Sequence, residues 1–256
     1  MPNTFPSFTV MALPDVPLIQ EGDDLPQVIL AALNAADLVL EAGDIVVIAS
    51  KIVSKSEGRL AQLSEVEPSE EALRYAEITG TDPRLVELVL RESADVSRAR
   101  RGVIVTEHRL GFVSANSGID QSNIDHPEEQ VLLLPLDPDS TAESIRKRLH
   151  SVSGHDVAVV ITDTHGRPFR LGNTGVAIGV AGMQALTDLR GEQDLYGREL
   201  QITTQGYADM VACAAHLLSG EGNEGRPIVI IRNLAYPRGE GHASDLNRLR
   251  EHDMYR

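Results

Sequence analysis

In the segment Val157-Ala158-Val159-Val160-Ile161-Thr162-Asp163-Thr164-His165-Gly166-Arg167-Pro168-Phe169-Arg170, five apolar residues run straight into hydroxyls, a carboxylate, an imidazole and two guanidinium groups. An unbroken apolar run of this length reads as a buried strand. Two more runs of the same kind flank it at a distance, Ile45 to Ala49 after the turn Gly43–Asp44, and Ile228 to Ile231. Between these lie helical patterns. One follows Asp24 through Val28, Ile29, Ala32 and Leu33, one begins near Pro68–Ser69, and one follows Thr81-Asp82-Pro83 with Leu85, Leu88 and Val89 on one face. Ser140-x-x-Glu143 reads as a capping box opening a helix over about 141–150, and Ala208, Val211, Ala212, Ala215 and Leu218 have helical spacing. Val103–Thr106 and Phe112–Ser114 read as a hairpin, and the Gly-rich stretch Gly172–Gly182 holds the alternating run Val176–Val180. Strands and helices alternate without a regular βαβ order, so the fold class is α+β, mixed α/β with irregular order. The whole chain, 1–256, reads as a single unit, with a subdomain break near 135–140, where Pro135–Ser140 is the linker candidate. The polar tail from Arg238 onward is expected to be loosely held.

Composition narrows the function. The net charge is −15, the reverse of what a protein built to wrap nucleic acid carries. An anionic substrate would therefore need local positive charge, from metal ions or from a few converging Lys and Arg residues. No apolar run reaches 18 residues, so no membrane span is expected, and Met1–Thr9 does not read as a signal peptide. The lone Cys213 excludes an internal disulfide framework and reads as a small buried packing residue. A cytoplasmic location fits.

Four polar clusters sit at strand ends or turns. Lys51 and Lys55, after the Ile45–Ala49 strand, can meet phosphates as point charges or decorate a solvated turn. Ser114–Asn123 is almost wholly small or polar; its Asp120 can hold a hard cation or close an Asx turn. Asp163, just past the buried strand, is well placed as a metal carboxylate, with Thr164 offering a hydroxyl and Arg167 and Arg170 offering cationic forks. A lone His165 is more often positional than catalytic. Ser219–Arg226 has three glycines able to bring backbone amides to an anion, and a Glu221 able to ligate a metal; the same residues also suit a helix C-cap. No Gly-x-x-x-x-Gly-Lys-Ser/Thr phosphate loop occurs in the chain.

Taken together and in order, these clusters resemble the coenzyme F420:L-glutamate ligases. The segments that carry the resemblance are Ala12-Leu13-Pro14-Asp15-Val16-Pro17, Ser50 to Arg59, Ser117 to Asn123, Ile161 to Arg170, Asn173–Gly182 and Gly220–Arg226, spanning about residues 10 to 240. The resemblance implies two intertwined subdomains without a P-loop, and a homodimer. It implies a divalent-metal ligase (Mg or Mn), responsive also to K, that uses GTP to join L-glutamate to a carboxylate of the coenzyme F420 precursor and then adds γ-linked glutamates. By position it assigns Asp120, Asp163, Thr164 and Glu221 to metal. It assigns Leu13, Pro14, Asp15, Val16, Ser50, Lys51, Lys55, Asn123, Gly220 and Gly222 to nucleotide, and Asp120, Asp163, Arg167 and Arg170 to the chemistry. Some relatives carry a further flavin-binding, reductase-like domain; a chain of this length is expected to lack one.

A carboxylate is a poor acyl donor, so a ligase first makes an acyl phosphate and then lets an amine displace phosphate. That chemistry asks mostly for positioning and charge neutralisation, and for no protein nucleophile. Two rival readings use the same residues: a two-metal phosphohydrolase built on Asp120 and Asp163, and a non-catalytic nucleotide- or deazaflavin-binding protein.

Overall fold

A computed structural model describes residues 5–254; the part of the Met1–Thr9 reading that rests on residues 1–4 lies outside them. In chain order the elements begin with β1 (Thr9–Ala12), α1 (Leu25–Ala35), β2 (Ile45–Ala49), α2 (Ser50–Ser56) and β3 (Leu60–Gln62). Then come α3 (Glu70–Thr79), α4 (Pro83–Glu92), β4 (Ser93–Arg100), β5 (Val103–His108), β6 (Val113–Ala115) and β7 (Gln130–Leu132). The remainder is α5 (Pro138–Ser153), β8 (Ala158–Arg167), β9 (Arg170–Ala181), β10 (Leu186–Asp188), β11 (Thr204–Gly206), α6 (Tyr207–Ser219) and β12 (Ile228–Arg232). The mixture of one largely antiparallel sheet, smaller sheets and helices is the expected α+β class.

The central sheet has the order β1-β12-β2-β8-β9. Its pairings are antiparallel except β2 with β8, which run parallel with Ile48 opposite Ile161 and Ala49 opposite Thr162. Both faces are covered, which is why its strands are apolar on both sides rather than alternating. Val46, Ile48, Val159, Ile161 and Ile230 face α1 and α5, while Ile45, Val47, Val160, Val229 and Ile231 face α6. Gly175 of β9 lets α6 lie close, because a Cβ there would stand 2.7 Å from the backbone carbon of Ala212. At one end of the sheet Arg232 grips the buried Asp44 with two hydrogen bonds, 2.9 and 2.7 Å, and reaches Val39 O at 2.7 Å.

Residues 60–133 form a smaller lobe. Its β4-β5-β6 sheet and the β3–β7 pair enclose two modest cores, one around Leu63, Leu88, Val131 and Leu133 and one around Ala72, Val86, Val89 and Ile104. Leu133 belongs to this lobe and Leu134 already packs in the large core, so the chain returns to the sandwich just before Pro135.

Several expectations need correcting. α5 begins at Pro138 and is capped by Asp137, whose carboxylate accepts from Ser140 N at 3.0 Å; the Ser140–Glu143 box is not the cap, because proline at the first helical position leaves Asp137 the better-placed acceptor. The last three residues of the linker candidate, Pro138–Ser140, thus belong to α5. The tail is held rather than loose: Asn247 Nδ2 donates to Leu110 O at 2.9 Å, Ala243 N donates to Asp139, and Gly241 packs on the Met183–Ala185 backbone. Cys213 is exposed, since the helical period that turns Val211, Ala212 and Ala215 inward carries it outward. β4 and α2 carried no clear strand or helix signal in the sequence.

The small lobe yields a test. Glu87, on α4, accepts from both the hydroxyl (2.6 Å) and the amide (2.9 Å) of Ser69, the cap of α3, and from Arg91. The Ser69 hydroxyl, helped by its amide and by Arg91, holds this carboxyl below the usual glutamate range of 4.5. A depressed carboxyl contributes stability that is present above the unfolded-state value and is lost as pH falls through the folded one. Glu87→Gln should therefore cost about 1.5 kcal/mol or more at pH 7, and the gap to wild type should close on acidification below pH 4.5. Urea unfolding at both pH values checks this; an equal gap at pH 7 and pH 3 would assign the loss to packing.

Candidate active site

Parallel pairing of β2 and β8 brings their carboxyl ends side by side, the place where open sheets with parallel strands present ligand crevices. Beyond Ala49 the chain turns at once into α2, so Ser50 stands beside Asp163 and its Oγ donates to Asp163 Oδ1 at 3.2 Å. Asp163 is not past the end of its strand as expected. β8 continues through Thr162, Asp163 and Thr164 in register with Ala177, Val176 and Gly175 of β9, so the carboxylate rides on a paired strand. Its other oxygen meets His165 Nε2 at 3.1 Å, and that ring packs on Phe112, centroids 4.8 Å apart.

The Ser114–Asn123 loop arrives from the small lobe. Asn116 and Ser117 take positive φ, and the lobe holds them there. Asn116 Oδ1 accepts from Ile104 N at 3.0 Å, and the buried Ser117 hydroxyl bonds Ser93 (2.6 Å) and Thr106 (2.8 Å). Gly118 follows at φ +66, where a Cβ would sit 2.6 Å from Leu134 Cδ1. Asp120 takes the turn reading with one oxygen and keeps the other for an ion pair. Oδ1 closes an Asx-type turn by accepting from Ser122 N at 2.7 Å, and Oδ2 faces Lys51 Nζ at 2.6 Å.

Lys51 spends its remaining donors on Ser122 O (3.0 Å) and Oγ (2.8 Å), and Lys55 donates to Asn123 O at 2.8 Å. The two lysines of α2 thus pin the 120–123 loop to the large core and are not part of a solvated turn. Burial pushes the Asp120 carboxyl up, but hydrogen bonds from Lys51 and the Ser122 amide outweigh it and hold it below the ordinary aspartate range. Burial and the neighbouring Lys51 charge lower the Lys55 ammonium, against the pull of Asp125 and Asp120. The fourth wall is the turn after α6. Gly220 ends the helix at φ +72; beyond it Glu221 Oε2 accepts from Thr164 Oγ1 at 3.1 Å, and Gly222 O accepts from Asn123 Nδ2 at 3.1 Å.

These walls enclose a cavity of about 420 Å³. Of the residues singled out from sequence, Val16, Ser50, Lys51, Lys55, Asp120, Asn123, Asp163, Thr164, Gly220, Glu221 and Gly222 line it. Leu13 is fully buried in the large core, and Pro14 and Asp15 lead from it toward the cavity without lining it. Arg167 and Arg170 face each other at the tip of the β8–β9 hairpin, where Arg167 Nη1 donates to Gly172 O at 3.3 Å, and neither reaches the cavity. Thr162, Ser122 and Arg226, which lie within the polar clusters of the sequence but were given no role of their own, also line it, and so does His216, which sequence reading passed over. His216 had only its place in a largely apolar helix to mark it. A larger cavity, about 650 Å³, lies by the start of α5 and residues 236–242 and takes in none of the four clusters.

The cavity carries hard oxygen donors, the carboxylates of Asp120, Asp163 and Glu221 and the Thr164 hydroxyl, with the His216 imidazole beside them. Among the described residues no three His, Cys, Asp or Glu side chains already form a metal cage. A metal held by those oxygens alone would have few protein ligands, which suits Mg or Mn, ions that keep waters and substrate phosphates in their shells, better than zinc or an all-protein calcium site. No helix among the described residues is long and apolar enough to cross a membrane.

Comparison with known proteins gives the family. The family model F420-0:Gamma-glutamyl ligase matches residues 15–233. The chain is 47% identical over 252 residues to the coenzyme F420:L-glutamate ligase of Methanothermobacter thermautotrophicus, covering 97% of this chain and 98% of that protein. It is 48% identical over 229 residues to the protein of the same name from Methanopyrus kandleri, covering 90% and 88%. With that of Archaeoglobus fulgidus it shares 42% identity over 247 residues, 96% of each chain. The match runs through the segments that build all four walls of the cavity, and the chain belongs to the F420-0:Gamma-glutamyl ligase family, a family of acid–amino-acid ligases.

Proposed function

We propose that this enzyme uses GTP and a divalent cation to join the amine of L-glutamate to a carboxylate of the coenzyme F420 precursor, and then adds further glutamates through γ-linkages. The observation that carries the reading is the meeting of Lys51 and Lys55 with Asp120, Asp163, Thr164 and Glu221 on one cavity, in a chain of this family. A strongly acidic protein can accept an anionic nucleotide only where cations are concentrated, and here two lysines and a set of hard oxygen donors share a wall. Asp120, Asp163, Thr164 and Glu221 would hold the metal, which when bound neutralises phosphate charge. Potassium would act as an additional activator.

In the reaction, the substrate carboxylate oxygen attacks the γ-phosphorus of GTP; the bond to the β-γ bridging oxygen breaks, giving acyl phosphate and GDP. The glutamate amine then attacks the acyl carbon, the carbon–oxygen bond to phosphate breaks, and the amine loses its proton. The chain's share is positioning. Ser50 and His165 fix the two oxygens of Asp163. Lys51 and Lys55 supply donors for phosphate oxygens, Lys51 exchanging Asp120 and Ser122 for the nucleotide. Glu221 and Gly222 close the cavity over it. No side chain needs to act as a nucleophile.

A homodimer is part of the reading. The β8–β9 hairpin tip exposes Phe169 and Leu171, and the 189–203 segment exposes Leu195, Tyr196 and Ile202, apolar side chains of the kind that subunit interfaces cover. Arg167 and Arg170, which do not reach the cavity within one copy, sit on the same tip. Light scattering coupled to gel filtration should return twice the 27.7 kDa chain mass. A wild-type monomer at assay concentration would reject this part.

Mass spectrometry of the deazaflavin after incubation with glutamate, GTP and Mg or Mn should show a ladder in glutamate units, with phosphate released in step. Phosphate release at the same rate without glutamate or deazaflavin would favour the phosphohydrolase; nucleotide binding without any turnover would favour the carrier.

Lys51→Ala and Lys55→Ala should each weaken GTP binding about 10-fold or more, the worth of one charge-assisted hydrogen bond, and should slow a saturated enzyme less. Asp120→Asn and Asp163→Asn keep shape and remove charge, and should each lower turnover about 100-fold with the unfolding midpoint little changed. Titration calorimetry and steady-state kinetics across metal concentration read both. Near-normal turnover of either Asn variant at limiting metal would make that aspartate a turn residue.

A further inference from the structure

The 220–225 turn is glycine-rich and exposed, with no buried side chain of its own, yet it forms one wall of the cavity. One imidazole holds its base. His216 lies on the last turn of α6, its ring seated where Gly175 has no side chain; a Cβ at 175 would stand 2.6 Å from His216 Cδ2. Nε2 is 3.3 Å from Thr162 Oγ1. The other partners of that hydroxyl are the carbonyls of Val176 (3.0 Å) and Asp163 (3.3 Å), which can only accept. With the hydroxyl proton assigned to Val176 O, its shortest contact, Thr162 Oγ1 receives the Nε2–H of His216 and Nδ1 is left as an acceptor. Nδ1 faces Ser219 Oγ at 3.4 Å, at the base of the turn, with Glu221 Oε1 at 3.6 Å.

We propose that His216 is a positioning residue for nucleotide binding. It transmits the placement of β8 through Thr162 to Ser219, and so sets the turn from which Glu221 meets Thr164 and Gly222 meets Asn123. This rests on the nucleotide reading given above. The polar edge of the ring does this work, and its bulk over Gly175 serves packing.

Three variants of the full chain separate those contributions. His216→Phe keeps a ring and loses both polar contacts; His216→Asn keeps an acceptor near Nδ1; Ser219→Ala removes the partner and leaves the histidine. GTP binding by calorimetry with Mg present, the KM for GTP, kcat and thermal unfolding are measured for each. His216→Phe should raise both Kd and KM about 10-fold, more than it lowers kcat, the scale seen when a supporting contact behind a site is lost. Ser219→Ala should shift them the same way, and His216→Asn should recover most of the affinity. Wild-type affinity in His216→Phe, or in Ser219→Ala should the phenylalanine variant not fold, would overturn the proposal, as would His216→Asn behaving no better than His216→Phe. If wild type itself binds no GTP, the nucleotide reading fails and this proposal with it; if wild type binds and the variants match it, only the role of His216 fails.

Discussion

Everything at this site depends on the parallel register of β2 and β8. Each strand is buried on both faces and stays apolar through Ile48 and Ile161, because an unpaired polar side chain between two helical layers would be costly. Polar side chains begin at the level of Ala49 and Thr162, which the register sets opposite each other: β2 ends there and α2 starts with Ser50, while β8 runs on and carries Asp163. Ser50 and Asp163 meet there, and every other wall of the cavity is assembled around that contact.

The remaining walls come from distant parts of the chain, each held by its own local device. A hydroxyl trio of the buried Thr106 and Ser117 and the half-buried Ser93 stabilises the strained bend that aims Asp120. Lys51 and Lys55 bridge from α2 to that loop, so the small lobe is fastened to the sandwich by the same charges proposed to receive phosphate. The 219–226 turn is fastened by hydrogen bonds from Thr164 and Asn123. A nucleotide entering the cavity would exchange internal partners for external ones, replacing contacts that already order the loops and so limiting the ordering entropy lost on binding.

Much of the fold was legible in the sequence because its signals are local. The three apolar runs, the caps at Asp24, Ser69 and Asp82, and the hairpin at Val103–Ser114 each depend on neighbours within a few residues. What was misread had competing local signals: Asp137 with Pro138 outranked the Ser140 box, and Ala49-Ser50-Lys51 looked like a strand end followed by a turn although the chain passes directly into a helix. The extension of β8 through Asp163 was hidden because its pairing partner, the Gly-rich β9, has too few side chains to show strand alternation in its first half.

By itself the sequence marked the candidates: carboxylates, lysines and hydroxyls at breaks in apolar pattern, in an order that also marks the family. The order of residues along a chain carries no distance between breaks that are 43 or more positions apart. Only the tertiary structure decided that Asp120 and Asp163 share a cavity with Glu221. It also decided that Arg167 and Arg170, adjacent in sequence to Asp163, lie outside that cavity, since a strand rises about 3.3 Å per residue and four residues carry a side chain beyond reach. His216 gained its place only by folding, because a ring on α6 becomes part of the site when a glycine on β9 makes room for it.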